Sequence, residues 1–328
     1  MKKSLFVILV GCGSTESVTE NDSQDTLTDE SETWDTTDTS EPFEEDSATD
    51  TQPDSENPPQ PEPQDYSVEG SYLVIASTGS VAASGCEDGM TYDHFIPEGV
   101  DNPPFLVLGH GFLRSGKMVG WGSHLASWGI EVVAPELCHF NVLTGVDHEL
   151  NGVNLVELAN DFGRDEVIYG GQSAGGLAAI IAAAQDPNAI GLLGLDATDT
   201  EGVPSVPDFI GQSYAGSVST PAYGLVGEPS SCNSNNNGIA LYAMMENPNV
   251  VRVTSSDHCD YENPTDWLCT SLCTNEGVSF SDESIATVIK HLGTAAVLSL
   301  SGDSDAAWQW SADTLSPLIG TGQVEFLQ

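Results

Sequence analysis

One stretch, Asp165 to Ala184, constrains the chain more than any other. A short apolar run, Val167 to Tyr169, passes through Gly170-Gly171-Gln172-Ser173-Ala174-Gly175-Gly176 into an alanine-rich run of high helix propensity. Strand, tight turn and helix therefore follow one another with no loop between them. Gly171 and Gly175 stand two residues either side of Ser173, the G-x-S-x-G spacing. A serine on so sharp a turn takes strained backbone angles, and its neighbours must be small for the chain to fold back on itself. The turn aims the hydroxyl past the N-terminus of the following helix, where free amides attract developing negative charge. Ser173 is accordingly read as a nucleophile. The competing reading is a tight packing turn without chemistry.

Elements of the same two kinds alternate along the rest of the chain. Apolar runs predict strands near 71–75, 92–96, 105–108, 130–134, 189–195, 222–226 and 250–254, the last of them followed by Asp257-His258. Helical patterns fall near 118–128, 147–162 and 239–246. A long helix from Asp282 to about Leu300 is expected to close the domain. This alternation predicts an α/β class: a mostly parallel central sheet with helices on both faces. Right-handed crossovers then bring the strand C-termini to one edge, where ligands of such folds bind.

The residues directly after the strands carry the chemistry. Gly109-His110-Gly111-Phe112 follows one strand, Ser173 sits on the turn, and Asp196 and His258 end two later strands. A serine hydroxyl needs a base, and histidine is suited to neutral pH. The imidazole needs a carboxylate to fix its tautomer and stabilise its cation. Asp196, at a strand end, is the candidate acid; a helix- or turn-capping aspartate is the plain alternative for it. His110 precedes its turn and is read as a structural prop. His94, His124, His139, His148 and His291 have no partner at a strand end. The segment from Thr200 to Thr220, rich in Gly, Ser and Pro, is a candidate wall for a substrate pocket or a plain surface loop.

The catalytic portion, residues 67–328, resembles an α/β-hydrolase. More narrowly it resembles the branch holding chlorophyllases, platelet-activating-factor acetylhydrolases and bacterial polyester hydrolases. The resemblance rests on Gly109-His110-Gly111-Phe112, on Gly171 to Gly176, on Gly191 to Asp196, on Ser255 to His258, and on the chain order Ser173, Asp196, His258. It implies an α/β-hydrolase fold and a serine carboxylic-ester hydrolase acting through an acyl-enzyme on a small or lipid-like ester, with no cofactor and no metal. It also implies an oxyanion hole from the backbone N–H groups of Phe112 and Ala174. Chlorophyllases and the acetylhydrolases carry their acid after the strand that follows the nucleophile helix, so the resemblance implies Asp196 as the acid, with Glu228 second and Asp199 third. Polyester hydrolases have a bridge beside their catalytic histidine, and the resemblance implies a Cys232–Cys259 disulfide here. Their Trp and Met are replaced by Ala197-Thr198 and Ala174, and the Arg of chlorophyllases is absent, so the substrate is not carried over. The alternatives are a surface-tethered, non-catalytic binding protein on the same scaffold, or an acyltransferase or peptidase.

Residues 1–12 read as an export signal: two lysines, an apolar run and a lipobox-like Leu9-Val10-Gly11-Cys12. Cys12 is the expected lipidation site, making the protein a membrane-anchored lipoprotein of the bacterial envelope or a secreted protein. Residues 13–66 form an acidic tether rich in Ser, Thr and Pro, with too little apolar content to fold. As a coil it spans about 40 Å. The net charge of −43 leaves no basic patch, which excludes nucleic acid as a partner. Six further cysteines suit up to three disulfides in an oxidising compartment. The C-x3-C of Cys269 and Cys273 has no matching pair that would favour zinc.

Overall fold

The computed structural model describes residues 64–141, 145–202, 206–273 and 279–328. The expected signal, the Cys12 lipidation site and the tether up to residue 63 lie outside the described residues. Folded structure begins earlier than the sequence indicates. Tyr66, the last residue of the expected tether, is buried against Trp128 with ring centroids 4.9 Å apart, and its N–H donates to His291 Nδ1 at 3.2 Å.

Eleven strands are described: β1 Val74–Val81, β2 Met90–Pro97, β3 Phe105–Gly109, β4 Glu131–Pro135, β5 Phe140–Asn141, β6 Gly145–Val146, β7 Val167–Gln172, β8 Ala189–Leu195, β9 Pro221–Val226, β10 Asn247–Val253 and β11 Val324–Phe326. Nine build one sheet in the order β1-β2-β4-β3-β7-β8-β9-β10-β11. The run from β4 to β10 is parallel, while β1, β2 and β11 join antiparallel at the two sides. The helices are α1 Val119–Ser127, α2 His148–Asp161, α3 Ala174–Gln185, α4 Gln212–Ala215, α5 Ile239–Tyr242, α6 Trp267–Cys273, α7 Asp282–Leu300, α8 Ser304–Trp308 and α9 Ala312–Gly320.

The expected helix closing the domain is α7, with the expected bounds. It does not close the domain, however: α8 and α9 follow, and β11 pairs with β10. β10 is therefore not the last strand. The expected helix at 239–246 stops at Tyr242, and the chain enters β10 at Asn247.

Side-chain alternation places a core on each face of the sheet. On β3, Leu106 and Leu108 face one way, packing with Trp121 and Leu125 of α1 and Leu292 of α7. Phe105 and Val107 face the other, with Leu155 of α2 and Leu177 and Ile181 of α3. Strands buried on both faces explain the unbroken apolar runs in the sequence. Helix starts are fixed by side chains: the Asp147 carboxylate accepts from Leu150 N at 2.9 Å, and Ser281 Oγ from Ser284 N at 3.3 Å. Two sheet glycines make room for one ring. The Tyr242 hydroxyl lies 1.8 Å from where a Cβ on Gly194 would be, and its ring atom Cζ 2.8 Å from one on Gly224.

The expected Cys232–Cys259 bridge is not formed. The disulfides are Cys86–Cys138, Cys232–Cys273 and Cys259–Cys269. The physical reason is α6, which carries Cys269 and Cys273 one turn apart between the two loops. Each loop cysteine bonds to the helix and not to the other loop.

Candidate active site

Four strand ends converge. β7 runs straight into Ser173, whose backbone stands at φ 55°, ψ −122°, in the left-handed half of the map that a non-glycine residue rarely occupies. The glycines around it are required by contact. A Cβ on Gly171 would meet the Gly175 carbonyl at 2.4 Å, and one on Gly175 the Gly109 carbonyl at 2.5 Å. The turn thus packs backbone on backbone against the end of β3. Ser173 N donates to Leu195 O at 3.1 Å, tying the turn to β8.

Asp196 follows β8 and is 1 % exposed. Its Oδ2 accepts from His258 Nδ1 at 2.6 Å. Gly227 N donates to Oδ1 at 3.0 Å, and Asn233 Nδ2 to Oδ2 at 3.1 Å. A buried carboxylate with three donors is fixed in its orientation. His258 lies beyond β10 and is itself buried. With Asp196 accepting at Nδ1, the ring proton sits there and Nε2 carries the lone pair. The other two acids are spoken for. Glu228 accepts from Ser255 N at 3.0 Å, and Asp199 Oδ1 accepts from Thr200 N and Gly211 N, each at 2.8 Å. Burial raises the Asp199 carboxyl above its ordinary range.

Ser173 and His258 line one cavity of about 320 Å³, with Phe112 and Leu113 on one side and Leu268 and Leu272 of α6 on another. Among the described residues no hydrogen bond joins Ser173 Oγ to His258. The amides of Phe112 and Ala174 take no hydrogen-bond partner among the described residues. None of the described residues between Thr200 and Thr220 lines this cavity. The wall expected there comes from α6, held by Cys259–Cys269 and Cys232–Cys273. A cavity of about 720 Å³ lies at the opposite strand ends, between Pro103, Pro104, Arg164 and Asp165, and among the described residues neither serine nor histidine pairs with a carboxylate there.

His110 acts as the sequence suggests, as a prop. Its Nδ1–H donates to Gly111 O at 2.7 Å and its Nε2 accepts from Leu137 N at 3.0 Å. Burial pushes its pKa down, consistent with a neutral ring in this role. Beside His258, burial raises Asp257 and pushes Asp260 up to about 6.

Sequence reasoning missed three features. Gln172 donates toward His258, with its Nε2 3.2 Å from the ring Nε2 and 3.2 Å from the main-chain oxygen. Arg114 makes a two-pronged pair with Glu262, both contacts at 2.5 Å, and reaches Asp266 at 3.1 Å; Lys117 meets Asp266 at 2.7 Å. This ties the loop after Phe112 to the loop after His258. The third feature is α6, whose signal was the start Pro264-Thr265-Asp266: Asp266 Oδ1 accepts from Leu268 N and Cys269 N at 3.2 and 3.1 Å. The metal-like groupings of Cys86, Cys138 and His139 and of Cys259, Cys269 and Cys273 have every sulfur in a disulfide.

No family model matches the chain, and a comparison with curated proteins returns no match.

Proposed function

We propose that the protein is a serine carboxylic-ester hydrolase of the α/β-hydrolase type, working through an acyl-enzyme on a small or lipid-like ester. The observation that carries this reading is the bond of 2.6 Å from His258 to buried Asp196, in a cavity shared with a strained Ser173. Ser173 attacks the ester carbonyl as His258 Nε2 takes its proton, and Asp196 stabilises the imidazolium. The free amides of Phe112 and Ala174 receive the oxyanion, and removing one such donor from a hydrolase costs roughly 10²–10³ in rate. The alcohol leaves with the proton from His258. Water then attacks the acyl-enzyme, with His258 again as base. The apolar side chains of the cavity, Phe112, Leu113, Leu268 and Leu272, suit an acyl chain, and its volume is at the small end of ligand pockets. Export and lipidation at Cys12 belong to the same reading, and incorporation of radiolabelled palmitate, lost in Cys12→Ala, tests them.

The experiment is turnover of p-nitrophenyl butyrate by the wild type and by Ser173→Ala. Complete loss in a variant with an unchanged melting curve is expected. Undiminished turnover would end the proposal. A non-catalytic binding protein on this scaffold would also fail to react with a fluorophosphonate probe.

A further inference from the structure

We propose that Gln172 gates the base: in the resting molecule its side-chain amide occupies the lone pair of His258 that Ser173 needs, and it withdraws as the ester is attacked. The inference rests on the serine-hydrolase reading and goes beyond it.

Asp196 fixes the tautomer, so Nε2 of His258 is a bare acceptor. The main-chain oxygen of His258 is an acceptor as well. Both lie 3.2 Å from the same Gln172 nitrogen, so the two hydrogens of that amide point at the two acceptors. This settles which way the amide faces from its neighbours alone. A ring nitrogen has one in-plane lone pair, and here Gln172 holds it. Ser173, the adjacent residue, donates to no group among the described residues although it lines the same cavity.

The amide oxygen tells the other half. Gln172 is 1 % exposed, and its Oε1 is buried without a hydrogen-bond partner. It lies against Gly111 in the loop leading to Phe112: a Cβ on Gly111 would sit 2.2 Å from it. A buried acceptor left unpaired is costly, and the two bonds opposing that cost are long. The resting arrangement is therefore held weakly. It is also incompatible with the next state of the ring. Once His258 has taken the serine proton, Nε2–H is a donor, and a Gln172 N–H facing it is repelled. Turned over, the same side chain gives up its bond to the His258 main-chain oxygen and offers Oε1, an acceptor that suits the imidazolium. Gln172 is thus a positioning residue whose preferred orientation follows the proton.

The test uses the full chain, a fluorophosphonate probe and p-nitrophenyl butyrate. Gln172→Met keeps the volume and removes both donors. It frees the lone pair, and the second-order labelling constant and kcat rise roughly three- to tenfold with KM unchanged. Gln172→Glu keeps the shape but, when ionised, only accepts; it holds a proton on Nε2 and lowers both rates by about tenfold or more. A prop with no gating role would lower both variants together, and that result, or a Gln172→Met variant no faster than wild type, overturns the inference. If Gln172→Met shows no folding transition, Gln172→Asn, one methylene too short to reach His258, is read in its place by the same criterion. Absence of wild-type labelling would instead overturn the serine-hydrolase reading, and the gate with it.

Discussion

Asp196 reaches His258 from a left-handed backbone, φ 47°, so Asp196 and Ser173, the proposed acid and nucleophile, both sit in sparsely allowed conformations. Such angles persist only where surrounding bonds over-determine them, and Asp196 has its N–H on Leu225 O at 2.7 Å besides the three donors on its carboxylate. Asp196→Asn keeps the shape but presents an N–H to His258 Nδ1, which drives the ring proton to Nε2 and removes the base. Under the proposed mechanism kcat falls by roughly 10³–10⁴, measured on p-nitrophenyl butyrate. Glu228→Gln changes kcat little, because that side chain serves Ser255 N and not the imidazole. Comparable losses in both variants would show that the choice of acid is wrong. The sequence, through its family resemblance, put Asp196 first among these acids, and Asp196 is the one bonded to His258. It had no means of finding Asn233, the further donor on Asp196, because that contact depends on how the loop after β9 folds back.

The seven-residue helix α6 is the element that the sequence concealed and the cavity most needs. Its apolar side chains read as neither a long amphipathic helix nor a strand, and its two cysteines carried no sign of their partners. What makes it an element is covalent attachment at both turns, to Cys259 beside His258 and to Cys232 after β9. The strands and long helices were legible because burial on two sheet faces writes itself into the chain as apolar runs and 3.6-residue periodicity. The partner of each cysteine was not, because bonding follows spatial proximity and fifteen pairings satisfied the count. The C-terminal strand β11 was hidden for a related reason: three residues at an edge carry too little pattern. Replacing Cys232 and Cys273 together by Ser releases one end of α6. We expect a loss of about 2–4 kcal/mol in chemical denaturation, a rise in KM from the loosened Leu268 and Leu272 wall, and a smaller change in kcat. An unchanged KM would separate α6 from substrate binding.

At the scale of the whole molecule, buried imidazoles tie stability to pH. Burial lowers the pKa of His110, His124 and His291, and takes His148 down to about 4. Between that value and the ordinary value of 6.5 the unfolded chain binds more protons at His148 than the folded one. Stability from this group is complete above 6.5 and is lost as pH falls toward 4, on the order of 3 kcal/mol in all. Asp260, raised to about 6, has the opposite sign: its contribution is present below the ordinary 3.8 and is lost as pH rises through 6. His148→Gln should therefore show a smaller drop in Tm between pH 7 and pH 4.5 than the wild type, and an equal drop would refute the assignment. A different constraint spans the sheet itself. Because Tyr242 fills the space above Gly194 and Gly224, neither position can gain a methyl group without displacing that tyrosine; Gly194→Ala should cost about 1–3 kcal/mol. Three sites on two strands and a short helix thus share one volume, and a side chain larger than hydrogen enters at either glycine only as the aromatic gives way.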